Sequence, residues 1–361
     1  MALASLERPP EDRLERALEL ARGGRAAEMR RDLGQALARY EEARQLLDDA
    51  DPTPLFANLL RWSGSVLRDL GELDDAEQMY SYSFAVAELT GATSGQASAL
   101  NCRAVIAQRR GDLEGATALY RRAARLATEA GEIRLAGMIE QNLGVLANIR
   151  GDLDGALVRY RAALRAFQEV SDDEAVSWVL NNMGMLLTDL GLPVRAEKSF
   201  QQGLEIARRR RDRHMEGVLQ GNYAECLIAM KSWDAAAQAL DSALTIAEEG
   251  EDQARAGEAR KFFGALEREQ GRFEAADKYL KEALEIGRLI DDPLLVAEVL
   301  RERGELRHRE GRYEEAGRDW VAARDGFMAL NALLDADHMR ARIASLGQED
   351  RTVRTDEERP T

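Results

Sequence analysis

The sequence predicts an all-α fold, an α-solenoid of eight helix–turn–helix units closed by a capping helix, and three observations predict it. Small residues recur at Gly64, Ala104, Gly144, Gly184, Ala224, Gly264 and Gly304, a step of 40 residues each time. Alanines recur in the same register at Ala36, Ala76, Ala116, Ala156, Ala196, Ala236, Ala276 and Ala316. Each is followed four residues later by a large residue, in the series Tyr40, Tyr80, Tyr120, Tyr160, Phe200, Leu240, Leu280 and Trp320. The composition agrees: only 7 prolines in 361 residues, 6% aromatics and an abundance of Ala, Leu, Arg and Glu suit consecutive helices and not sheets.

Each unit opens with a helix carrying the small residue, where a neighbouring backbone can approach closely. A breaker follows at Gly71, Gly111, Gly151, Gly191, Gly271 and Gly311, supplying the left-handed conformation that ends a helix. Asp112 and Asp152 then stand where a second helix needs its N-cap. In one such helix Ala156, Leu157, Tyr160, Ala163, Leu164 and Phe167 fall on a single apolar stripe. One unit has Lys231, Ser232 and Trp233 in place of the turn glycine, and an ordinary turn capped by Ser232 is expected there. Between units, residues 51–54, 90–95 and 291–293 read as loops, the second as the softest joint. After Trp320 an amphipathic segment at about 333–343 reads as a capping helix that covers the exposed end of the stack. The expected organisation is a flexible N-terminus at 1–11, the solenoid with its cap at 12–345, and a charged, disordered tail at 346–361.

The formal net charge of -15 repels phosphate backbones and anionic lipid, so no nucleic acid and no membrane insertion are expected. The N-terminus has no basic and apolar leader, and no window is apolar enough to span a bilayer. The two cysteines, Cys102 and Cys226, form neither a disulfide framework nor a metal knuckle, which fits a reducing cytoplasm. The strong preference for Arg over Lys suggests a GC-rich bacterial source. No phosphate-binding glycine loop is present, and His214, His308 and His338 belong to different units and read as solvated surface. No catalytic residue, metal or cofactor is therefore expected. Paired acids such as Asp74-Asp75, Asp172-Asp173 and Asp291-Asp292 fall at loops or helix starts, and the run Arg208 to Arg211 closes a helix, where the dipole favours those signs.

The small residue, the glycine turn, the alanine four before an aromatic and a further small residue at Ala123, Ala163, Gly203, Ala243, Ala283 and Ala323 together resemble the tetratricopeptide repeat. The likeness covers about residues 12–345. The common repeat is about 34 residues, and the extra six here lengthen each hairpin by about one and a half turns. That variant is similar to the repeats of kinesin light chains, Pins-type polarity adaptors, Rap-type bacterial regulators and MalT-like regulatory arrays, all of which recognise proteins or peptides. The resemblance implies a right-handed superhelix whose first helices line a concave groove. It also implies a cytoplasmic adaptor or scaffold that binds an extended peptide or a helix of a partner in that groove; the oligomeric state is left open, a monomer being favoured over an oligomer. The alternative it implies is a regulator switched by a peptide or partner, as in Rap-like or MalT-like sensor arrays.

Two positions of the first helices define the candidate site. One holds Arg61, Asn101, Gln141 and Asn181; the next holds Trp62, Cys102, Asn142, Asn182 and Asn222. An Asn amide offers donors and an acceptor to the backbone of an extended peptide, whatever its sequence. Resemblance to the kinesin-light-chain and Pins-type repeats implies that role for Asn142, Asn182 and Asn222. The other reading has these amides bond to the neighbouring helix and hold the stack in shape. Met138, Val145, Trp178 and Met185 would form an adaptable apolar floor, or else pack within the stack. Arg61, Arg68 and Arg109 make one end basic, suited to a partner acidic there.

Overall fold

The computed structural model describes residues 10–357 except Asp49 and Asn331, with side chains as far as Leu346. Among the described residues there are seventeen helices and no strand. They are α1 (Glu11–Met29), α2 (Leu33–Gln45), α3 (Pro54–Asp69), α4 (Leu73–Leu89), α5 (Thr93–Arg109), α6 (Leu113–Glu129), α7 (Ile133–Ile149) and α8 (Leu153–Glu169). They continue with α9 (Asp173–Asp189), α10 (Pro193–Arg210), α11 (Arg213–Ala229), α12 (Trp233–Glu249), α13 (Gln253–Glu269), α14 (Phe273–Leu289), α15 (Pro293–Arg309), α16 (Tyr313–Ala329) and α17 (Leu333–Glu357). None is long and apolar enough to cross a membrane.

The backbone repeats at half the sequence period. A left-handed residue ends one helix after another at Gly71, Gly91, Gly111, Gly131 and Gly151, a step of 20 residues. The turn after α3 shows the mechanism: Gly71 N–H donates to the Arg68 carbonyl at 3.1 Å and Glu72 N–H to the Leu67 carbonyl at 2.9 Å, the paired bonds of a Schellman motif. Turns between repeats therefore use the same device as turns within them. Residues 90–95, expected as the softest joint, are such a turn, with Gly91 at φ +65° and α5 under way by Thr93. Asp112, Asp152, Asp172, Asp212, Asp252 and Asp292 each accept a backbone N–H of the helix they open.

Where glycine is missing, another residue takes the strained conformation. Lys231 adopts φ +59° and makes the same pair of bonds, Lys231 N–H to Ile228 and Ser232 N–H to Leu227. Ser232, expected to cap α12 through its side chain, makes no side-chain cap bond. Because an L side chain in this region costs about 1 kcal/mol or more, Lys231→Gly is expected to stabilise the fold by up to about 1 kcal/mol. A fall in the urea midpoint would contradict that.

Packing explains the alternation of small and large residues. A Cβ built on Gly64 would lie 2.7 Å from the Tyr80 ring, on Gly184 2.6 Å from Phe200, on Gly264 2.5 Å from Leu280 and on Gly304 2.4 Å from Trp320. The glycine lets the large residue sixteen positions later lie directly on the first helix. Gly24, one period before Gly64, meets Tyr40 at 2.4 Å in the same way. It is hard to see in the sequence because its hairpin turns at Arg31, φ +59°, and not at a glycine.

Two compact units divide the chain, Met1–Leu146 with Arg165–Val170, and Ala147–Leu164 with Ser171–Thr361. Within the N-terminal unit α3 touches both α1 and α5; within the C-terminal unit α9, α11, α13 and α15 touch in succession. Of the second helices, among the described residues, α2 and α4, α4 and α6, α10 and α12, α12 and α14, and α14 and α16 make no contact of that extent. Each unit thus curves with its first helices inside. The core is a string of local clusters, one of which joins Trp320, Phe327, Ala336 and Met339. The last two lie on α17, which covers α16 as a cap. α17 extends beyond the expected 333–343 and into the segment read as a disordered tail. Nothing between Gly347 and Glu357 is Gly or Pro, so no breaker ends the helix there; residues 358–361 lie outside the described residues.

The Arg208 to Arg211 run is not simply a helix-end patch. Arg209 pairs with Asp173 at 2.8 Å and Arg210 with Glu174 at 3.2 Å, tying the end of α10 to the start of α9, while Arg208 pairs with Glu216 at 2.8 Å.

Candidate functional site

In the N-terminal unit the inner side is built by α3, α5 and α7. Asn142 Nδ2 donates to Asn101 Oδ1 at 3.0 Å, and Asn101 is only 6% exposed. The C-terminal unit repeats the arrangement: Asn222 Nδ2 donates to Asn181 Oδ1 at 2.9 Å, with Asn181 3% exposed. Asn101 and Asn181 are therefore not groove-facing, as the sequence suggested, but lie in the seam between first helices. Consecutive positions on a helix are about 100° apart, so when one faces the groove its predecessor faces the neighbour. Asn142 and Asn222 sit half-buried at the edge of that seam, and among the described residues the Oδ1 of each accepts no hydrogen bond. Asn222→Ala would leave the buried Asn181 carbonyl without its donor, and a loss of about 1–3 kcal/mol is expected in denaturant titration. No loss would show the pair to be incidental.

The remaining expected residues fall into two groups by unit. In the N-terminal unit Arg61, Trp62, Asn101, Cys102 and Met138 line a cavity of about 300 Å³. Arg68 lies outside it, paired with Asp69 at 2.7 Å, and its carbonyl receives Nη1 of the exposed Arg109 at 3.5 Å. Gln141 and Val145 are half-buried on α7. Burial pushes the Cys102 thiol up, against the lowering influence of Arg61 and Arg68, so it stays a thiol at neutral pH.

In the C-terminal unit Trp178 is half-buried with its ring 6.4 Å from His214, and Asn182 is half-buried on the same helix. Met185 is 40% exposed, its sulfur within 3.4 Å of Asn222 Nδ2 and 3.5 Å of Asn181 Nδ2. Farther along, α13 and α15 carry a charge network that sequence inspection treats only as a mixture of signs. Lys261, 5% exposed, donates to Glu298 at 2.5 Å, and Arg268 pairs with Glu302 at 2.6 Å. Arg301 joins Glu302 at 3.3 Å and Asp335 of the cap at 3.4 Å. Burial would raise the Glu302 carboxyl, but Arg268 and Arg301 hold it at about 2. Glu225 faces the same cavity of about 580 Å³ without a hydrogen bond or close ion pair among the described residues; burial pushes it up, against Lys261 and Arg301. His308, expected at the surface, is half-buried with its ring 5.3 Å from Tyr313 and 5.5 Å from Trp320. Among the described residues no group of His, Cys, Asp and Glu could hold a metal ion.

Helical hairpins stacked in this way, with small residues facing aromatics at a fixed period, define a tetratricopeptide-repeat protein. The MalT-like TPR region is the family whose model matches, over residues 131–323, more than half of the chain, and the chain belongs to that family. Among solved structures it is similar to the apo form of the quorum sensor NprR from B. thuringiensis, with TM-score 0.65, 15% identity, and 86% of this chain and 87% of that one covered. It is also similar to the Rap conjugation gene regulator of the plasmid pLS20 in complex with the Phr* peptide, with TM-score 0.59, 18% identity and coverage of 78% and 76%. A Rap protein complexed with competence and sporulation factor gives TM-score 0.59, 14% identity and coverage of 94% and 97%. At these identities the likeness establishes the fold. No curated protein matches the chain in sequence.

Proposed function

We propose that the chain is a non-catalytic binding protein that captures an extended segment of a partner protein on the inner sides of its first helices. The observation that carries this reading is Met185, an apolar side chain 40% exposed on the curved inner side and bordered by the amides of Asn181 and Asn222. A flexible thioether suits varied apolar side chains. The open Oδ1 atoms of Asn142 and Asn222 suit backbone N–H groups. The peptide held by the Rap regulator of pLS20 supports the same use of a similar fold.

The test is selection from a random peptide library on the immobilised chain, followed by titration of the enriched peptides. Met185→Arg, at a position 40% exposed, is expected to weaken binding about tenfold or more, equivalent to about 1.4 kcal/mol, with helicity by circular dichroism retained. Val158→Arg, at a position 62% exposed on a second helix, is expected to leave it unchanged. Equal affinities for the Met185 variant and the parent would overturn the reading.

A further inference from the structure

The half-buried guanidinium of Arg61 meets no carboxylate among the described residues. Its Nη2 donates to the neutral Asn58 side chain at 3.2 Å, its Cζ stands 5.8 Å from the centre of the Trp62 ring, and its buried Nε has no hydrogen-bond partner. Two half-buried arginines near it are paired, Arg68 with Asp69 at 2.7 Å and Arg103 with Glu77 at 2.8 Å. Arg25 approaches the Trp62 ring at 5.8 Å while held by Glu28 at 3.0 Å, so two guanidinium groups border one indole. Arg61 and Trp62 open on the cavity of about 300 Å³, with Ser98, Asn101 and Met138 across from them.

The planar fork of an Arg that has no carboxylate partner within the chain matches an incoming carboxylate. The apolar faces of Trp62 and Met138 favour a carboxylate carried beside an apolar group. Glu132 at the same cavity, and the overall charge of -15, disfavour a polyanion. We propose that this cavity anchors an Asp or Glu side chain of a partner segment held by the N-terminal unit, with an apolar residue next to it. The proposal rests on the peptide-capture reading above.

The probes are two fluorescein-labelled peptide mixtures, each with a fixed Leu beside a fixed Glu or a fixed Gln and all other positions randomised, titrated by anisotropy against the full chain. The Glu mixture is expected to bind about tenfold tighter than the Gln mixture. Arg61→Gln is expected to bring that ratio to about one. Ser98→Glu, which places a carboxylate in the cavity from the chain itself, is expected to do the same and serves if the Arg61 variant does not fold. Capture of both mixtures with equal affinity by the parent, or a Glu preference that survives both substitutions, overturns the anchor but leaves peptide capture standing. Binding of neither mixture overturns both. Succinate is the control for a free carboxylate: if it binds the parent as tightly as the Glu mixture, the site serves a small acid and the proposal fails.

Discussion

Trp320→Ala is expected to cost about 3–5 kcal/mol of stability, the range for removing a fully buried Trp. The side chain is 0% exposed, lies against Gly304 where even a Cβ could not fit, and packs with Ala336 and Met339 of the capping helix. Its loss empties the joint between the last hairpin and the cap. In a stack where each repeat contacts only its neighbours, the damage should stay local. Hydrogen exchange should therefore accelerate in α15, α16 and α17 and remain unchanged in α9 and α10. A cost under about 1 kcal/mol would mean that the cap does not depend on this side chain. Trp320→Phe is expected to be milder, since it also removes the buried Nε1–H that has no acceptor.

Glu302→Gln is the second change with a large effect, about 3 kcal/mol or more, because it leaves Arg268 and Arg301 buried beside a neutral amide. The same contact governs the acid limb of stability. With its folded pKa at about 2 and its ordinary value at 4.5, Glu302 contributes stability that is complete above about pH 4.5 and lost as the pH falls towards 2. Denaturation as a function of pH should show that acid loss in the parent and a shallower one in Glu302→Gln. Glu225 has the opposite sign. Its folded pKa lies above the ordinary value, so its contribution is favourable below about pH 4.5 and is lost as the pH rises through the elevated value. Glu225→Gln is accordingly expected to raise stability at pH 7. An unchanged or lower midpoint would show that Lys261 and Arg301 compensate the carboxylate fully.

Much of the fold was legible because it is written as spacing. The 40-residue step identifies which residues pack, and Gly64 against Tyr80 or Gly304 against Trp320 follows from size alone. The half-period was partly hidden, since the left-handed position between repeats is filled at three places by Ser171, Arg211 and Glu251, none of which announces a turn. The inner side was legible only in part. Composition cannot tell Asn181 in the seam from Asn182 beside it, because the distinction depends on how each helix is rotated against the next. Ion pairs between consecutive helices left a usable trace: Arg110–Asp74, Arg209–Asp173, Arg210–Glu174 and Arg213–Glu249 each join residues 36 apart. Opposite charges recurring at that separation mark neighbouring helices. The network around Glu302 has no such regularity, as its members come from α13, α15 and α17 at several separations.

The measurement that bears most directly on capture by the inner side is photo-crosslinking. A peptide enriched on the chain, carrying a benzophenone at each position in turn, would be irradiated in complex and the adducts mapped by mass spectrometry. The account predicts adducts on the first helices: α3, α5 and α7 for a peptide held by the N-terminal unit, or α9 and α11 for one held by the C-terminal unit. Adducts confined to the second helices α8, α10 and α12 would contradict it.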